Sequence, residues 1–253
     1  MKTVAGENLF GVNGVTIYYG QEKDADIIWK GIVNVDDKIE RDKLIDNLIK
    51  IMENNSQENG FFKSDDSLMI TLFPSRKIKI DDKKLYYDFF DNLKENYGLK
   101  QQGKTDKSDD VLISKAIRKT LLNYFGSVCQ NFSKRQSATT VYIDDNEEEI
   151  IPSIKDLKSK KLAACVELSG CAHNLWLMTG RKSYYIDSRQ ANFENSTDGH
   201  AFVIVDWKDK SVLYDLAQNV LKKYDINPIN SIMNNEPFIV DGVEYISNKK
   251  LEL

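Results

Sequence analysis

The chain has 253 residues, of which 41% are hydrophobic and 29% charged, a balance typical of a water-soluble globular protein with one large domain or two small ones. Its net charge of −4 does not favour nucleic acid as a partner. No apolar run approaches the ~20 residues that cross a membrane, and no apolar segment of the signal-peptide type follows the N-terminus. We therefore expect a cytoplasmic protein, or one exported without a cleavable N-terminal signal.

Three cysteines cannot all pair within one chain, and their spacing gives no disulfide framework. The short C-x2-C spacing of many zinc sites is absent, and there are only two histidines. No glycine-rich phosphate loop occurs. The sequence thus predicts no metal site and no cofactor.

The first 98 residues predict an N-terminal α+β region whose role the sequence does not show. Segments rich in β-branched and aromatic residues indicate strands at 14–20, 26–35 and 67–73. Apolar residues at helical spacing indicate helices at 37–55 and 81–98. The expected apolar face of the first helix consists of Ile39, Leu44, Leu48, Ile49 and Ile51.

The second helix of this region places Leu85, Phe89 and Leu93 on one face, and Gly98 is expected to follow its end. The polar segment 99–110 then predicts a linker between the N-terminal region, 1–98, and a second domain, 111–253. A helix is expected over 109–132, with Asp109 or Asp110 as its N-cap. A strand is expected over 139–145.

The segment "AACVELSGCAHNLWLMTG", 163–180, contains two of the three cysteines and one of the two histidines. Ser153 is a possible N-cap of a short helix before it. From Ala164 the apolar pattern predicts a helix that ends at Gly180 and carries Cys165 in its first turn.

A cysteine in the first turn of a helix has an environment that favours its thiolate. The N–H groups there lack partners within the helix, and the helix dipole places partial positive charge nearby. Both effects lower the pKa of a thiol, and the same N–H groups can form an oxyanion hole. Cys165 is therefore the candidate nucleophile, whereas Cys171 lies mid-helix on the apolar face and Cys129 lies outside this segment.

The base that would activate Cys165 must be a histidine from elsewhere in the chain. His173 lies eight residues along the same helix, about 12 Å away, and is expected to be a helix histidine at a surface or packing contact. His200 begins the predicted strand "GHAFVIVDW", 199–207, which leads through a short turn to a second strand, 211–219, carrying Asp215. An antiparallel register centred on this turn pairs Phe202 with residue 216 and places Asp215 within diagonal or bulge reach of His200.

The tail contains a predicted hairpin, "PFIVDGVEYI", with Asp241 and Gly242 in its turn. We expect it to extend the sheet of the second domain.

The motifs "CVELSGCAHNLWLMTG", "GHAFVIV" and "VLYDLA" together resemble the transglutaminase-like cysteine enzyme superfamily, whose core is papain-like. Its members carry a helix-initial Cys, a His at a strand start and an Asp on the next strand. Cys165, His200 and Asp215 match this order, at separations of 35 and 15 residues. The resemblance covers roughly residues 110 to 220 and departs from the family at Ala163 and Ala164, where many members have glycine.

This resemblance implies an α+β fold in which the Cys-bearing helix packs on an antiparallel sheet. It also implies a Cys-His-Asp triad and an acyl-enzyme intermediate. Hydrolysis of a peptide or amide bond in a peptide or protein substrate is the first expectation. The alternatives are a glutamine deamidase or transglutaminase acting on a partner protein, and a non-catalytic binding module with the same fold. The oligomeric state is not predicted.

Overall fold

The computed structural model describes residues 16–18, 22–54, 61–64, 67–72, 76–126, 142–143, 149–150, 153–160, 163, 165–181, 183–190, 199–207, 210–216, 220–224, 238–240 and 243–247. Within these residues the fold is α+β. Most helices come from the first half of the chain, and the largest sheet is built mainly from the second half.

The helices of the described residues are α1 (Glu22–Asn34), α2 (Lys38–Asn54), α3 (Lys84–Gln101), α4 (Asp109–Phe125), α5 (Ile154–Lys160) and α6 (Cys165–Met178). The strands are β1 (Thr16–Tyr18), β2 (Phe61–Ser64), β3 (Ser67–Leu72), β4 (Arg76–Ile80), β5 (Tyr142–Ile143), β6 (Glu149–Ile150), β7 (Ser183–Gln190), β8 (Gly199–Trp207), β9 (Lys210–Asp215), β10 (Val220–Tyr224), β11 (Phe238–Val240) and β12 (Val243–Ser247).

The main sheet has the strand order β10-β9-β8-β7-β12-β11, and its described strands pair in antiparallel fashion. β1 pairs with the first part of one edge of β7, and β12 pairs with the last part of the same edge. β8 pairs with the other edge of β7. Strands β2, β3 and β4 form a separate three-stranded sheet. β8 and β9 thus lie inside the main sheet, with a partner strand on each side.

Helix α6 is enclosed on several sides. It packs on β7 and β8 and also contacts α4, and the Asn174 side chain donates to the Tyr86 hydroxyl of α3 at 3.2 Å. At the other end of the helix, Arg181 donates to Asp110 of α4. Every described side chain from Glu167 to Gly180 is buried. The helix therefore lies between the main sheet and the helices α3 and α4.

The prediction of a strand over 26–35 is wrong, because this segment belongs to helix α1. Trp29, Ile32 and Val33 are buried, whereas Ile27 is 69% exposed. Buried residues spaced three and four positions apart indicate a helix, because a strand would instead bury every second residue. The β-branched composition that suggested a strand is overridden by packing of this face against α3.

Helix α2 is confirmed, but its predicted apolar face is partly wrong. Leu48 and Ile49 are buried as expected, together with Ile45, whereas Ile39 is 69% exposed. Leu44 is also exposed, whereas the charged Arg41 is buried. Arg41 donates to the carboxylate of Asp91 on α3, so an ion pair fixes part of the face that the sequence pattern assigned to apolar packing.

Helix α3 buries Leu85, Phe89 and Leu93 as predicted, but it continues beyond Gly98. Gly103, with φ 68°, takes the left-handed conformation after the helix, and the Lys104 N–H donates to the Leu99 carbonyl. A left-handed residue after the last turn is a common helix ending. Gly98 is thus an ordinary helical residue.

The predicted linker over 99–110 is shorter than expected, because α3 and α4 extend into it and only 102–108 connect them. Lys100 on α3 pairs with Asp109 on α4 across this connection at 2.5 Å. One buried cluster includes residues from both sides, such as Trp29, Phe89 and Leu175. The division into 1–98 and 111–253 stays a prediction.

Helix α4 begins at Asp109, so its N-cap is Ser108, and the prediction of Asp109 or Asp110 as N-cap is wrong. The helix ends at Phe125 and is followed by Gly126 with φ 83°. Its buried face includes Ile113, Ile117, Leu121 and Phe125. Residues 127–132 of the predicted helix lie outside the described residues.

The strands of the second half largely confirm the sequence pattern. β8 has the predicted bounds, β11 and β12 form the predicted hairpin, and β12 adds to the main sheet. A short strand occurs within 139–145, as β5. The sequence missed β7, which contains three charged or amide side chains near its end and carries no simple alternation.

We predict that Trp29→Ala lowers the free energy of unfolding by about 3–5 kcal/mol, the usual cost of deleting a buried large aromatic side chain. Ile27→Ala is the matched control and should change it by less than about 0.5 kcal/mol, because that side chain is largely exposed. Urea unfolding followed by circular dichroism measures both. Similar losses for the two variants would contradict the helical assignment of this segment, since a strand places residues 27 and 29 on one face.

Candidate active site

Cys165 is the first residue of helix α6 and so lies in the first turn, where the sequence places it. The N–H groups of this first turn have no acceptor within the helix and, with the helix dipole, favour a negative charge. The Cys165 side chain retains 9% of its exposure, whereas Cys171 retains 1%. The first thiol therefore lies at the margin of the core and the second lies inside it.

A buried hydrogen bond joins the Cys165 end of α6 to the start of β8. The Ser169 hydroxyl donates to the carbonyl oxygen of Ala201 at 2.9 Å. Ser169 follows Cys165 by one helical turn, and Ala201 is the residue after His200. The backbone of His200 is therefore close to the helix turn that follows the thiol.

The backbone of His200 is described within β8, where it pairs with Ser188 of β7. Its side chain lies outside the described residues, as does Cys129. The structure thus locates the strand that carries the proposed base but not the imidazole itself.

The register of β8 and β9 differs by one residue from the predicted one. Val203 pairs with Tyr214 and Trp207 with Lys210. Two residues therefore separate the paired ends of the strands, whereas the sequence predicted three. Continuing this register by one step places Phe202, not Val203, opposite Asp215. Asp215 then becomes a diagonal neighbour of position 200, a relation in which longer side chains can meet.

The two faces of the sheet separate the candidate residues. Tyr214 packs edge-on against Trp176 of α6, with ring centroids 5.6 Å apart, so this residue faces the helix. Strand alternation assigns the neighbouring Asp215 to the opposite face, where it is only 3% exposed. Position 200 falls on the same face as Asp215 by the same alternation. The contact between His200 and Cys165 that the sequence predicts would therefore have to form around the start of β8.

Cys171 and His173 of α6 are unsuited to nucleophile or base chemistry. Burial, with a smaller effect of the Glu167 charge, raises the pKa of the Cys171 thiol far above its usual range. Burial lowers the pKa of His173 to about 3, and its Nδ1 lies 2.8 Å from the Ser183 hydroxyl. His173 is thus a packing residue, the second of the two placements that the sequence left open, and it remains neutral at physiological pH.

Two polar residues of α6 were not singled out from the sequence. Ser169 forms the contact with β8, and Glu167 is 1% exposed in the first turn. Glu167 lies about 200° around the helix from Cys165, on the side of Cys171. The available signal was the presence of polar residues within an otherwise apolar helix, but a solvated face explains that pattern equally well.

In the described part of the chain, no group of three or more His, Cys, Asp or Glu side chains is placed to hold a metal ion. No described helix is both long and apolar enough to cross a membrane. No protein-family model, curated protein or solved structure matches this chain. The assignment of a function therefore depends on the chemistry of the residues alone.

The lowered pKa of His173 predicts a specific pH dependence of stability. An unfolded histidine binds a proton below pH ~6.5, whereas folded His173 stays neutral until about pH 3. Neutral His173 therefore contributes its full stabilisation of the folded protein above the pKa of the unfolded histidine. This stabilisation is lost as the pH falls towards the pKa of folded His173.

The stability advantage of the wild type over His173→Gln should therefore shrink by about 1.4 kcal/mol per pH unit between pH 6 and pH 4. Chemical unfolding at each pH measures this difference. His200→Gln, which alters the other histidine, is the control. A pH-independent difference for His173→Gln would show that its imidazole is charged in the folded protein.

Proposed function

We propose that the chain is a cysteine-dependent acyl-transfer enzyme with a transglutaminase-like core, which hydrolyses a peptide or amide bond in a peptide or protein substrate. The observation that carries the proposal is the hydrogen bond between Ser169 and Ala201. It brings together the start of the helix that carries Cys165 and the start of the strand that carries His200. Asp215, buried on the next strand, supplies the third residue type in the required order.

In the proposed first step, the Cys165 thiolate attacks the substrate carbonyl carbon. The N–H groups at the start of α6 stabilise the resulting oxyanion. His200 then donates a proton to the leaving nitrogen, the C–N bond breaks, and a thioester and a free amine form.

In the second step, His200 accepts a proton from water, which attacks the thioester. Breaking of the C–S bond releases a carboxylic acid and restores the thiolate–imidazolium pair. Asp215 does not need to contact the thiol in either step. Its role is to hold the imidazole in the correct tautomer and to stabilise its charged form, which agrees with its place on the sheet face away from α6.

We predict that iodoacetamide at neutral pH labels Cys165 faster than Cys171 or Cys129. The start of the helix favours the Cys165 thiolate, whereas burial keeps Cys171 protonated. Mass spectrometry of tryptic peptides at successive times measures the three rates. Labelling in denaturant, where all three thiols should react alike, is the control. Preferential labelling of Cys171 in the folded protein would rule out Cys165 as the nucleophile.

We predict that Asp215→Asn lowers the rate of Cys165 acylation by a peptide-based electrophile by at least about 100-fold, because an amide holds the imidazole in the wrong tautomer. Asp206→Asn is the matched control, since Asp206 lies on the adjacent strand and is less buried. Mass spectrometry of the acylated protein gives the rate, and circular dichroism checks that both variants fold. A near-normal rate in folded Asp215→Asn would remove Asp215 from the site.

The acyl acceptor is identified by the products of a glutamine-containing peptide. Hydrolysis of the backbone gives two peptides, deamidation adds about 1 Da to an intact peptide, and an added primary amine forms a covalent adduct if the enzyme is a transglutaminase. Cys165→Ser should abolish all three products. An unchanged product in that variant would contradict the proposed function.

A further inference from the structure

We propose that Ser169 is a positioning residue of the proposed active site, holding the Cys165 turn of α6 against the start of β8. This inference rests on the proposed function and adds a residue to that site. Its hydroxyl donates to the Ala201 carbonyl at 2.9 Å, and both residues are buried. Ser169 therefore contacts the strand that carries His200.

The direction of this hydrogen bond is unusual for a hydroxyl within a helix, which often donates to a carbonyl of its own preceding turn. Ser114 of α4 donates to the Val111 carbonyl, and Thr179 donates to the Trp176 carbonyl. Ser169 instead donates to another element. Its side chain thus fixes the relative placement of a helix and a strand, which the other two hydroxyls do not.

The contact lies where small displacements affect the proposed chemistry most. Four residues of helix, about 6 Å, separate Ser169 from Cys165 along the axis. One peptide unit, about 3.8 Å between Cα atoms, separates Ala201 from His200. A shift of about 1 Å between reacting groups can slow a reaction by about 100-fold. Loss of this contact should therefore weaken the pairing of thiolate and imidazolium.

Two other contacts hold α6 on the sheet further from Cys165. The His173 ring lies 2.8 Å from the Ser183 hydroxyl of β7, and Trp176 packs on Tyr214 of β9. They should retain the helix on the sheet when the Ser169 hydroxyl is removed. Ser183→Ala is therefore a matched control, because it also deletes a buried serine hydroxyl that links α6 to the sheet.

The experiment measures the rate of Cys165 alkylation by iodoacetamide between pH 4 and pH 9 in the wild type, Ser169→Ala, Ser169→Thr and Ser183→Ala. Mass spectrometry assigns the labelled site, and circular dichroism and urea unfolding report folding. In Ser169→Ala we expect the alkylation rate at pH 6 to fall by about 10- to 100-fold and the midpoint of the profile to move to higher pH. Ser169→Thr, which keeps a hydroxyl, should restore the wild-type profile, and Ser183→Ala should retain it.

An unchanged profile in folded Ser169→Ala overturns the positioning role. An equal shift in Ser183→Ala also overturns it, because the effect would then be general loosening of α6. If Ser169→Ala does not fold, the profile of Ser169→Thr decides: loss of low-pH reactivity in the presence of a hydroxyl contradicts the proposal.

Failure of the proposed function gives a different result. The wild type would then show the profile of an ordinary thiol, and His200→Ala would leave that profile unchanged. A wild-type profile that depends on His200 but not on Ser169 retains the proposed function and rejects only the role of Ser169.

Discussion

The burial of helix α6 on several sides is the constraint on which the rest of the structure depends. A polar group inside a core is costly unless it has a partner, and this helix contains several. Ser169 contacts β8, His173 contacts β7, and Asn174 contacts α3. Because these contacts point to different neighbours, they fix the rotation of α6 as well as its depth between the sheet and the helices.

The same burial limits where chemistry can occur along the helix. In its interior, loss of solvent disfavours charge, so the Cys171 thiol stays protonated and the His173 imidazole stays neutral. At its first turn, the N–H groups have no acceptor within the helix, and the helix dipole favours negative charge. One helix thus holds two thiols in different environments, Cys171 in the core and Cys165 at the helix start.

The local residue pattern predicted several helices and strands correctly. The alternation of β8, the turn residues between β11 and β12, and the apolar stripe of α3 all predicted their elements. The patterns failed where a neighbour decides the outcome. The segment 26–35 has the composition of a strand but forms α1 because one helical face packs on α3, and β7 was missed because its partners, not its own alternation, hold it in the sheet.

The sequence by itself determined that Cys165 lies in the first turn of a helix. It also determined that His200 lies at the start of a strand and that the next strand carries Asp215. These placements follow from capping, periodicity and turn signals, which are properties of neighbouring residues. Only the tertiary structure decided how these elements meet. The pairing of Trp207 with Lys210 shifts the β8–β9 register by one residue from the predicted one. A shift of one residue changes the face of the sheet on which a side chain lies. The Ser169–Ala201 hydrogen bond joins residues 32 positions apart. Such contacts leave no local periodic signal, since their geometry depends on the packing of the whole core.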